Sequence, residues 1–140
     1  MATWHEVYQS YLNLSFNELA NIGANQTSIL VNELERKYGT DAGMGYYFDI
    51  CGTFFCADKV INYEEHELFC KITGISVSYD EFFNIFKGYT SSEEVRKADY
   101  IIDNLSQNGK NAAIALGLVF CAANETITVA EQELIEKYFN

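Results

Sequence analysis

Along this chain, segments with apolar residues at helical spacing follow one another. Each is introduced by Ser, Thr or Asn with Glu three positions later. Thr3 and Glu6 open "WHEVYQSYLNL", and Ser15 and Glu18 open "FNELANIGANQ". Asn62 with Glu65, Ser78 with Glu81, Ser91 with Glu94 and Thr128 with Glu131 repeat the pattern. In such a capping box the small side chain accepts from the N3 amide and the Glu reaches back to the N-cap amide, at about 1 kcal/mol per cap. Stops fit the same frame: Gly39, Gly74 and the pair Asn108-Gly109 follow helical stretches, where positive φ favours glycine. The pattern predicts about eight helices, over 3–13, 16–23, 26–38, 42–57, 63–73, 79–88, 92–107 and 110–123, with a short ninth over 129–139.

Two of these segments are apolar almost all round: "AGMGYYFDICGTFFCA" (42–57) and "KNAAIALGLVFCAA" (110–123). Helices of that kind belong inside a bundle, with amphipathic helices wrapped around them. Gly43, Gly45, Gly52 and Gly117 each cost about 1 kcal/mol of helix propensity, which close approach of a neighbouring helix would offset. No linker or low-complexity stretch divides residues 1–140. The expected fold is all-α, a single compact bundle of about seven to nine helices around two central apolar ones.

The ends of the two apolar helices share a pattern. "FFCADKVINYEEHEL" (54–68) recurs as "VFCAANETITVAEQEL" (119–134). Phe55-Cys56-Ala57 match Phe120-Cys121-Ala122, Ile61 matches Ile127, Asn62 matches Thr128, and Glu65, Glu67 and Leu68 match Glu131, Glu133 and Leu134. Every match has a structural use. Phe, Cys and Ala are core, the Ile staples the turn, and the remainder is a capping box. The turns are also acidic, and Asp58, Glu65 and Glu131 are the candidate ligands of a weak divalent-cation site, since carboxylates suit Ca²⁺ or Mg²⁺. EF-hand spacing is not met, because Val60 and Tyr63 stand where an oxygen ligand and a glycine are required.

A helix ending in F-x-A-D, followed by x-x-I-x-x-x-E leading a new helix and used twice, resembles the TerB-like superfamily of bacterial tellurite-resistance and stress-associated proteins. The resemblance covers about 42 to 139. It implies a cytoplasmic helical bundle with two pseudo-repeated halves, no settled enzymatic activity, and acidic turns suspected of holding cations. Asp58 falls on the family's loop Asp, and Glu65 and Glu131 on its helix-start Glu. Lys59 replaces the loop glycine, and Ala123-Asn124 stand where Asp-Gly is usual.

Composition narrows the function. The 140 residues include no proline, which favours helices, and carry a formal net charge of -11. That charge repels nucleic acid and anionic lipid, and is compatible with a basic protein partner or a cation. No apolar run reaches the roughly 20 residues of a membrane span, and the N-terminus does not read as a signal peptide. A soluble, cytoplasmic protein is the expectation. Cys51, Cys56, Cys70 and Cys121 lie in apolar stretches with no CxxC pair, and read as buried free thiols. His5 and His66 lack a nucleophile signature, so no catalytic residue is assigned. Glu64 and Glu67 are expected to face water. Tyr46, Tyr47, Phe48, Phe54, Phe55, Phe82, Phe83 and Phe86 are read mainly as core, with one edge able to reach a surface groove. The reading that results is a non-catalytic module that binds a protein partner, linked to stress or metal-ion response. It implies an exposed apolar patch or a symmetric homodimer. The alternative is a divalent-cation binder.

Overall fold

A computed structural model describes residues 3–55, 62–90, 92–123, 127 and 129–138, with backbone only at 89, 90, 92–96, 130, 131, 134 and 138. Among them every regular element is a helix, without a strand. Its elements are α1 (Trp4–Leu12), α2 (Phe16–Tyr38), α3 (Thr40–Phe55), α4 (Tyr63–Thr73), α5 (Tyr79–Phe86), a 3₁₀ turn (Lys87–Thr90), α6 (Ser92–Asp103), α7 (Gln107–Ala123) and α8 (Val129–Tyr138).

Capping fixes several of the starts. The Thr3 hydroxyl accepts from the Glu6 amide at 3.2 Å. Ser15 and Glu18 close a reciprocal box at 2.9 and 3.1 Å, and Ser78 and Glu81 close another at 3.3 and 3.2 Å. The Asn62 amide donates to Glu65 Oε1 at 3.0 Å. The boxes expected at Ser91–Glu94 and Thr128–Glu131 lie outside the described residues and side chains. Gly39 (φ 91°) and Gly74 (φ 74°) end α2 and α4 in backbone conformations that strain any other residue.

Two expected boundaries move, both for tertiary reasons. The stretches 16–23 and 26–38 form one helix, α2, running unbroken through Gly23. That glycine is buried, and a Cβ there would overlap Ile72 Cδ1 and touch Val119 Cγ1 at 3.5 Å. It therefore lets α4 and α7 pack closely onto α2, which offsets its propensity cost. The second change lies between α6 and α7. Asn108-Gly109 does not end a helix over 92–107, because α6 stops at Asp103 and Gly109 sits in the first turn of α7.

A capping box assembled across the fold explains that turn. Ser106 Oγ accepts from the Gly109 amide at 3.2 Å, as an N-cap should. The glutamate of the box comes from α2: Glu33 Oε2 accepts the Ser106 amide at 2.6 Å, and Oε1 accepts the Ser106 hydroxyl. Its carboxyl group fills the space a side chain at 109 would need, since a Cβ there would meet it at 2.8–2.9 Å. One turn further along α2, Lys37 Nζ donates to the Asn104 carbonyl just past the end of α6. An anion thus faces the amino end of α7 and a cation the carboxyl end of α6, as the helix dipoles favour.

The core is built on α7. Ala112, Ala113, Ile114, Leu116, Leu118, Val119, Phe120, Cys121 and Ala122 are all buried. Helix α2 packs most extensively against α7 and α3, spanning both apolar helices. Of the close approaches expected at glycines in the apolar helices, those at Gly43 and Gly117 occur. A Cβ on Gly43 would stand 2.9–3.0 Å from the α2 backbone at Leu34 and Glu35, and one on Gly117 would overlap the Phe54 ring. Gly45 has open space beside it.

The two halves of the repeat meet at their matched phenylalanines, with Phe55 and Phe120 edge to face at 4.6 Å. Phe69, Phe82 and Phe86 complete the cluster around Phe55 at 5.0–5.8 Å. Ile127 is half-buried against the core, as a staple should be, and Ile61 lies outside the described residues. No described helix is long and apolar enough to cross a membrane.

Candidate binding groove

Helix α4 turns Leu68, Phe69 and Ile72 into the core. That leaves His66 and Cys70, one turn apart, on its flank. At its end Gly74 reverses the chain, with the Gly74 amide donating to the Cys70 carbonyl at 2.9 Å. Thr73 Oγ1 donates to the Phe69 carbonyl at 2.8 Å and accepts from the Ile75 amide at 3.2 Å. The strap 74–78 is thereby folded back along α4. Its Val77 carbonyl meets His66 Nε2 at 2.6 Å and the Cys70 thiol at 3.8 Å.

That geometry fixes the imidazole. A carbonyl only accepts, so Nε2 carries the proton of that bond. Nδ1 is buried with no protein partner. The ring packs among Tyr63, Tyr79 and Phe82, with centroids 5.3–5.9 Å away. Both His66 and Cys70 address the same oxygen. His66 and Cys70 pin the strap.

The pinned strap walls two grooves. The first, of about 460 Å³, lies between Phe16 at the start of α2, the His66–Lys71 flank of α4, and Gly74–Val77. The second, of about 410 Å³, lies on the other side of Ile75, between Thr27 and Val31 of α2, Met44 and Tyr47 of α3, and Ile72. Tyr47 is buried and shares a 2.9 Å hydrogen bond with Thr27, and burial pushes its phenol well above the ordinary range.

Beside the first groove the surface is aromatic. Tyr63 is 54% exposed and Phe83 42% exposed, with Tyr79 half-buried between them at 5.9 and 6.4 Å. Glu64, Glu67, Asp80 and Glu81 are exposed around this lane. The Glu67 carboxylate, one turn along α4, raises the Tyr63 phenol above its usual value. Phe16, at 40% exposure, closes the far side of the groove.

The expected candidate ligands are placed as follows. Glu65 is buried and engaged at the N-terminus of α4. Asp58 and the side chain of Glu131 lie outside the described residues. Among the described residues no group of three or more His, Cys, Asp or Glu converges as a metal site would require. Glu64 and Glu67 face water as expected. His5 is exposed and stacked on Trp4, with ring centroids 3.6 Å apart. Cys51 and Cys121 are buried, and burial pushes the Cys51 thiol up to about 12. Cys70 departs from the expected burial, lying half-exposed on the groove wall because the flank of α4 faces the strap rather than the core. Cys56 lies outside the described residues.

One polar feature went unpredicted. Asp49, buried in the middle of apolar α3, pairs with Lys97 of α6 at 3.3 Å, and the ammonium lies 6.0 Å from the Tyr46 ring centroid. A carboxylate inside "YYFDICG" was the available signal, since burial obliges a charge to find a partner. No family model, curated protein or solved structure matches the chain.

Proposed function

We propose that this chain is a non-catalytic, TerB-like helical module that binds a segment of a partner protein in the groove beside α4. Supporting the family assignment, each of the two apolar helices, α3 and α7, is followed by an outer helix, and the matched Phe55 and Phe120 touch. The observation that carries the binding reading is the groove walled by Phe16 and His66, with the exposed lane of Tyr63, Tyr79 and Phe83 packed against that same His66 ring. Large aromatic side chains left in water beside a concave wall are the side chains that anchor protein interfaces. The wall is also preorganised, because His66, Cys70, Thr73 and the Gly74 turn already hold the strap in place.

Selection of a random 16-residue displayed peptide library against the folded chain tests this reading. Recovered peptides should lose binding to a Phe16→Ser/Val77→Ser variant that keeps its helical circular dichroism. Peptides that bind that variant as well as the original chain would sink it.

A further inference from the structure

We infer that the segment received by this groove is basic, with apolar anchors and Lys or Arg beside them. The inference rests on the partner-binding reading above. From Asn62 to Phe86 the chain carries Glu64, Glu65, Glu67, Asp80 and Glu81 against Lys71 alone. Glu65 is buried and Glu81 caps Ser78, which leaves Glu64, Glu67 and Asp80 facing water beside the aromatic lane. Aromatic faces and carboxylates attract the same ligand. A guanidinium can stack on a Tyr or Phe ring while a carboxylate pairs with it. Exposed Tyr63, with Glu64 and Glu67 on the same helix, presents both elements together. Apolar residues of the segment would fill the groove against Phe16, Ile75 and Val77.

The same charges select against the other occupants. An isologous dimer through this face would oppose like carboxylates across its axis. Nucleic acid and anionic membranes meet both this local field and a net charge of -11. A basic peptide segment gains from long-range attraction as well as from contact.

The peptides recovered from the library discriminate these cases. Those that depend on Phe16 and Val77 should be enriched in Arg and Lys and carry net positive charge. Their affinity should fall about tenfold between 50 and 300 mM salt. It should fall about tenfold again at low salt on the Glu64→Gln/Glu67→Gln/Asp80→Asn variant, whose three exposed positions leave the core untouched. Groove-dependent peptides that are neutral or acidic, or that ignore this variant, overturn the inference and leave the binding reading standing. Recovery of no groove-dependent peptide overturns both. Equal affinity for oligolysine, which has no apolar anchor, shows diffuse attraction alone and also overturns the inference.

Discussion

At Gly117 a hydrogen is the only side chain the packing admits. A methyl group there would overlap the Phe54 ring, which is itself buried and has nowhere to move. Gly45 belongs to the other apolar helix and is exposed with nothing near its missing Cβ. The two therefore respond oppositely to one change. Gly117→Ala should lower stability by about 1–3 kcal/mol through overpacking. Gly45→Ala should raise it by about 0.5–1 kcal/mol through helix propensity. Urea midpoints measured on both variants check the pair, and a stabilised Gly117→Ala would show that α3 and α7 do not approach as described. From sequence both residues looked alike, as glycines in apolar helices. The distinction between them lies entirely in the neighbouring helix.

Among the elements, the α6–α7 turn shows how a distant residue can set a local boundary. Ser106 is an ordinary N-cap, but its position N3 is Gly109, and the acid that completes the box arrives from α2. Glu33→Ala should cost about 1–2 kcal/mol, since it removes a charge-assisted acceptor from the Ser106 amide. The loss should appear in hydrogen exchange as faster exchange of the Ser106 and Gly109 amides, ahead of the core of α7. Uniform protection across α7 in the variant would mean that Glu33 does not serve as the cap's partner. Reading residues 104–109 alone, "NLSQNG" suggests a stop at Asn108-Gly109. The starts at Ser15 and Ser78, whose glutamates lie three residues away, were legible because the complete box is local.

Across the whole molecule, the two halves are joined where Phe55 meets Phe120 and where α2 lies against both α3 and α7. Such a core should unfold as one unit. Phe120→Ala should destabilise the chain by about 3–5 kcal/mol. Near-ultraviolet and far-ultraviolet circular dichroism should still trace coincident transitions. Separated transitions would instead indicate two independently folding halves. At this scale the groove also acquires its meaning. Its wall is made from Phe16, the flank of α4 and a strap, three pieces that no sequence pattern brings together. The aromatic excess and the acidity were visible beforehand. Their convergence beside one concave surface was not, because Tyr63 meets Tyr79 and its helix neighbour Phe83 only when the strap folds back.

The sequence by itself determined the all-helical class, most helix starts, the glycine stops at 39 and 74, and which two apolar helices lie in the core. These depend on hydrogen bonds and side-chain spacing within a few residues, which are the interactions a linear reading contains. Tertiary structure alone decided the continuity of α2 through Gly23, the cap that Glu33 lends to α7, the ion pair of Asp49 with Lys97, and the groove pinned by His66 and Cys70. Each of those depends on atoms far apart in the chain competing for the same few ångströms, and close packing settles that competition only when every helix is in place.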